Sequence, residues 1–122
     1  MKFGCCGGIE EIEPIASGGA EFIEFTVTGI MQSEIEKIRE KLDRVNLRAY
    51  SFNVFLPGDL HITGPDVDLK KIDEYVKEAL RRVSFLGGEI VVFGSGRSRS
   101  FPEGFSRDTA REQIIEFLKI VD

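Results

Sequence analysis

The sequence has no tryptophan, a single histidine, and only two cysteines, which are neighbours, Cys5 and Cys6. Adjacent residues of a strand point to opposite faces, so a disulfide between them would be strained. Two cysteines and one histidine also cannot supply a four-ligand structural zinc site. No apolar run approaches the ~18 residues of a membrane span. The opening residues, Met1 to Cys6, carry no long apolar segment with a cleavage site, so no signal peptide is read and a cytoplasmic location is expected, with no membrane partner. There is no excess of positive charge. Sixteen Lys and Arg stand against 21 Asp and Glu, a net charge of −5, and the basic footprint of a nucleic-acid binder is missing. Low-complexity stretches and linkers are missing too, so residues 1–122 read as a single domain. With 42% hydrophobic and 30% charged residues, disorder is excluded. A chain of this length buries roughly two-thirds of its unfolded surface, which needs no staple.

Strand-like and helix-like segments alternate four times. Residues 3–6 form a short strand candidate. Ile9, Ile12, Ile15 and Ala16 recur at helical spacing, Pro14 makes this helix short or irregular, and Gly18-Gly19 ends it. Residues 22–28 (Phe-Ile-Glu-Phe-Thr-Val-Thr) are β-branched and aromatic, a second strand. Ser33 and Glu36 carry a capping-box pattern before a helix face of Ile35, Ile38, Leu42 and Val45, with Asn46 as its stop. Residues 47–56 read as the third strand, closed by Pro57-Gly58. After a long loop, Asp68 caps a helix with the stripe Ile72, Val76, Ala79, Leu80 and Val83. Gly87-Gly88 stops it. Residues 89–93 (Glu-Ile-Val-Val-Phe) read as a buried strand without alternation. Ser106 or Asp108 caps a last helix bearing Ala110, Ile114, Phe117, Leu118 and Val121.

This pattern predicts an α/β fold of four βα units with parallel strands and right-handed crossovers. Ligands of parallel α/β folds sit at the C-terminal ends of strands, so chemistry is sought in the loops that follow them. Gly94-Ser95-Gly96 fails the dinucleotide fingerprint, because position 99 is arginine and no helix opens at once. It fails the Walker pattern as well. Two readings of this loop stay open. Backbone N–H groups of residues 94–97, with Arg97 or Arg99, hold a phosphate or a sugar hydroxyl, or the loop is simply solvated. Glu24 lies inside the second strand on the face of Phe22 and Thr26. It is either a site carboxylate or the partner of a neighbouring-strand cation such as Arg48. His61 and Asn53 are further candidates in or near the loop after the third strand. Nothing basic neighbours Cys5 and Cys6 in sequence, which favours small packing residues over a reactive thiolate.

The segment Glu-Ile-Val-Val-Phe-Gly-Ser-Gly-Arg-Ser-Arg-Ser-Phe-Pro-Glu-Gly-Phe-Ser-Arg, residues 89–107, resembles the fourth-strand region of the xylose isomerase-like TIM barrel family of sugar phosphate isomerases and epimerases. Phe-Gly-Cys-Cys-Gly at residues 3–7, Phe-Ile-Glu at 22–24 and Asn-Val-Phe-Leu-Pro at 53–57 agree with it. The resemblance implies the N-terminal half of a (β/α)8 barrel, since a whole barrel needs ~200–250 residues. It implies a sugar or sugar-phosphate substrate and a divalent metal (Mn, Mg, Co or Zn) that polarises a carbonyl so that a proton shifts between neighbouring carbons. The family's metal ligands come from the last four strands. No metal ligand or catalytic base is therefore carried over, and this chain alone is expected to bind no metal. What transfers is pocket lining: Cys6, Glu24, Asn53, His61 and Ser95 as substrate contacts, joined by Arg97 from the loop reading above. Three states follow for the molecule. It is a piece lacking the catalytic half, a half-barrel that forms a homo-oligomer, or an open flavodoxin-like sheet that acts as a non-catalytic binding module.

Overall fold

The computed structural model describes all 122 residues. They divide into two compact units, Met1–Phe55 with Ala79–Gly94, and Leu56–Glu78 with Ser95–Asp122. The first unit holds four strands, β1 (Gly4–Cys6), β2 (Phe22–Thr26), β3 (Arg48–Asn53) and β4 (Ile90–Val91). All are parallel and they pair in sequential order, β1-β2-β3-β4. That order excludes the flavodoxin-like arrangement, whose first strand lies inside the sheet. Each crossover advances in the same direction, and right-handed crossovers that all advance one way put their helices on one face.

The helix-covered face is the core. Ile23, Phe25, Ala49 and Phe52 are buried there. Helix α1 (Ile12–Ser17) and α2 (Val27–Met31) pack on β2, and α1 packs on α3 (Ile35–Val45). The expected α3 stripe is buried at Ile35, Ile38 and Leu42. Asn46 ends α3 in the left-handed conformation, φ 53°, as a residue able to hydrogen-bond locally does. The opposite face has no such cover. Cys6 and Thr26 are exposed, and Phe22, Glu24, Tyr50 and Asn53 are half-buried.

Four sequence expectations change. β2 stops at Thr26, because the Thr26 hydroxyl accepts the Gly29 N–H at 3.0 Å and starts α2 there. Val27 and Thr28 are helical despite their strand propensity. Ser33 does not cap α3. Its hydroxyl donates to the Gly29 carbonyl at 2.9 Å, and Glu34 is the flanking residue, with no side-chain cap. β3 ends at Asn53, and Val54 turns to φ 46°, a conformation a β-branched residue adopts only under tertiary constraint. The fourth strand departs furthest from the expectation of burial. It is two residues long, and Ile90 and Val92 are 45% and 48% exposed at the sheet edge.

The second unit contains the loop of residues 57–67, the first part of α4 (Leu69–Phe85) and α5 (Arg107–Val121). Asp68 caps α4 as expected, accepting the N–H groups of Lys70 and Lys71 at 3.1 and 3.2 Å. Ser106, not Asp108, caps α5 through the Thr109 N–H at 3.2 Å. Leu56, Ile62, Ile72, Val76, Ala110 and Phe117 are its buried hydrophobic residues. Leu118, counted in the α5 stripe, is 49% exposed.

Candidate functional site

Glu24 is the centre of a polar cluster on the open face. Its Oε2 accepts a short hydrogen bond from the Ser51 hydroxyl. Its Oε1 accepts from Asn53 Nδ2 at 2.7 Å and from the Cys6 thiol at 3.4 Å. These four residues come from three adjacent strands, with Cys6 opposite Glu24 and Glu24 opposite Ser51 in the register. Cys6 and Asn53 are the last residues of their strands. The cluster therefore sits toward the C-terminal strand ends, where parallel α/β folds place their sites. Three predicted site residues, Cys6, Glu24 and Asn53, come together here.

Ser51 was not anticipated. Strict alternation puts it on the same face as Ala49, under the helices. A bulge intervenes. Ile23 pairs with Ala49 but Glu24 pairs with Ser51, so Tyr50 is the extra residue and everything beyond it changes face. The sequence signal was the broken spacing of apolar residues in this strand, 47, 49 and then 52.

The surroundings set the protonation of the cluster. The Ser51 hydrogen bond holds the Glu24 carboxyl below its ordinary range, against the opposing effect of burial and with help from Asn53 and Cys6. The Cys6 thiol is pushed up, first by its hydrogen bond to Glu24 and then by desolvation and by the Glu24 charge. So Glu24 is an ionised acceptor and Cys6 a protonated donor. A carboxylate offers about four lone-pair positions; three donors hold three of them, and one remains for an incoming hydroxyl. A depressed acid is a poor general base and a protonated thiol a poor nucleophile, so the cluster is suited to binding and orientation. The Asn53 Oδ1 atom is buried without a hydrogen-bond partner.

The metal implied by the family resemblance finds no ligand set here. No three His, Cys, Asp or Glu side chains converge, and the carboxylate at the strand ends is already engaged by three donors. Arg48, the alternative partner for Glu24, binds Glu89 at 2.6 Å instead and lies over the Tyr50 ring. Lys2, Glu21, Phe22, Arg48, Tyr50 and Glu89 line a cavity of about 550 Å³ toward the N-terminal strand ends. That end of a parallel barrel serves stability more than chemistry.

The remaining three predicted residues, His61, Ser95 and Arg97, lie in the second unit. The Ser95 hydroxyl accepts the Leu56 N–H at 3.0 Å. His61 and Arg97 line a cavity of about 580 Å³ with Gly58, Asp59 and Ser100.

No family model matches the sequence, and no curated protein does. Solved structures do. A 3-keto-D-glucoside 4-epimerase from E. coli superposes with a TM-score of 0.75 at 15% identity, over 99% of this chain and 50% of that one. An AP endonuclease of family 2 from Brucella melitensis gives 0.79 at 20% identity, over 98% and 49%. A D-allulose 3-epimerase from Methylomonas sp. gives 0.63 at 18% identity, over 99% and 50%. The chain spans about half the length of each. It has the α/β fold of one half of those TIM barrel chains.

Proposed function

We propose that the chain is the substrate-orienting half of a sugar or sugar-phosphate isomerase or epimerase. The observation that supports this best is the Glu24 cluster, an ionised carboxylate with one free acceptor position at the C-terminal strand ends of an open sheet face. Two of the matched structures are sugar epimerases, one also solved with D-allulose. In this reading Glu24 accepts a substrate hydroxyl, while Cys6 and Asn53 border it. The groups that move a proton next to the carbonyl, with any divalent metal that assists them, belong to a complementary half, so this chain is inactive alone. That half is either a second copy or the remaining four βα units of the barrel, and it covers the open face. The cytoplasm is the expected setting.

A second reading follows from the same cluster. With Glu24 held as a weak base and no ligand set for a metal, the chain is a non-catalytic sugar-binding half-barrel. The endonuclease likeness supports no nucleic-acid reading, since a net charge of −5 repels a phosphate backbone.

The test is a titration of the isotopically labelled chain with D-allulose, followed by amide and side-chain resonances. Signals of Cys6, Glu24, Ser51 and Asn53 are expected to move together, and Glu24→Gln to abolish the response. An unperturbed cluster at saturating ketose contradicts both readings. Turnover by the isolated chain contradicts the assignment of catalysis to a complementary half.

A further inference from the structure

We propose that the cavity of the second unit is a binding site for the phosphate of a phosphorylated polyol or sugar, with Arg97 as its principal contact and His61 as a flanking donor. This goes beyond the reading of Glu24 as a hydroxyl-binding carboxylate and does not depend on it.

The first observation is that the frame is built and the charge in it is unspent. Ser98 is fully buried. Its hydroxyl donates to the Pro57 carbonyl at 2.8 Å, and its own carbonyl accepts the Ile62 N–H at 2.9 Å. Ser95 adds the bond from the Leu56 N–H. The segments on either side of the cavity, residues 56–62 and 95–100, are thus pinned together by serines rather than by the charged residues between them. Arg97 makes no ion pair, and neither does Asp59. The guanidinium is left for something outside the chain.

The second observation is how Arg97 is held. Its side chain lies against Gly58, where an added Cβ would stand 3.3 Å from both Cδ and Nε. Glycine at 58 lets the arginine stem lie along the backbone, which limits the rotamer freedom that phosphate binding would otherwise have to freeze. Arginine presents a planar fork that matches two oxygens of a phosphate. Ser100 completes the wall, its hydroxyl donating to the Gly96 carbonyl at 3.0 Å. His61 lines the same cavity.

Asp59 is the opposing charge in the wall. It weakens a bare anion and favours a ligand whose phosphate is followed by hydroxyls, since a carboxylate accepts hydroxyl hydrogen bonds. This selects a phosphorylated polyol over inorganic phosphate.

The experiment titrates the full chain at constant ionic strength with inorganic phosphate, glucose 6-phosphate and glucose, reading the Arg97 Nε–H, the His61 ring and the Ser100 amide by NMR. Glucose 6-phosphate is expected to bind tightest, phosphate more weakly, and glucose not to shift these signals. Arg97→Gln, an exposed change that leaves the serine pins intact, is expected to weaken glucose 6-phosphate by about tenfold or more. Asp59→Asn is expected to tighten inorganic phosphate and so narrow the gap between the two anions. Silence of all three signals with both anions overturns the proposal. So does an Arg97→Gln variant that binds as the parent does, or an Asp59→Asn variant that binds phosphate more weakly. Because the readout lies in the second unit, loss of D-allulose binding at Glu24 leaves this result unaffected.

Discussion

The two faces of the parallel sheet are built from alternate residues of the same strands, yet they are different materials. Under the helices lie Ile23, Phe25, Ala49 and Phe52, all at most 2% exposed. On the other side lie Cys6, Glu24, Thr26, Ser51 and Asn53, flanked by the exposed edge residues Ile90 and Val92. Parallel sheets are normally covered on both faces. Here the covered face carries the stability, while the uncovered one is polar at its centre and apolar at its β4 edge. That distribution fits the inside of a barrel seen from one half, with polar groups in the middle and an apolar edge at the side.

Substitutions on each face separate the two roles. The largest effect is expected from Phe52→Ala, which opens a cavity under the helices and costs about 3–5 kcal/mol in a denaturant titration. On the open face, Asn53→Asp replaces the amide donor 2.7 Å from Glu24 by a second carboxylate. A loss of about 2 kcal/mol near neutral pH is expected, shrinking as the pH falls and one of the pair takes a proton. Ser51→Ala removes a single hydrogen bond and is expected to cost about 1 kcal/mol.

Glu24 also sets a pH dependence. Its folded value is depressed, so the stabilisation is full above the ordinary carboxylate value and is lost as the pH falls through the lowered one. Glu24→Gln is expected to flatten that acid limb in a series of unfolding curves. The smallest effect on the isolated fold belongs to the edge. Ile90→Lys with Val92→Lys should change stability by no more than about 0.5 kcal/mol per site, as exposed positions do, while blocking pairing at that edge.

Reading the chain as four βα units worked because each helix carries an apolar stripe and each helix-to-strand joint a glycine or asparagine. Cys6, Glu24 and Asn53, read from their strand positions, come together in the structure, although Asn53 lies beyond the bulge of its strand. The sequence reading misplaced what tertiary structure decides. The Tyr50 bulge turned Ser51 toward Glu24, and no local propensity announces a bulge. Val27 and Thr28 have strand propensity, but the Thr26 hydroxyl captures the Gly29 N–H and starts a helix. Residues 89–93 are apolar enough for a buried central strand, yet they form the edge. Their apolarity leaves Ile90 and Val92 exposed there.

The central claim is that the open face requires cover. Light scattering on the isolated 122-residue chain of 13.7 kDa, alongside the Ile90→Lys, Val92→Lys variant, tests it most directly. The account predicts a parent mass of at least twice that of one chain, and a variant that falls to a single chain while keeping its unfolding transition. A parent that is monodisperse at 13.7 kDa, with a stable cooperative fold, would contradict it.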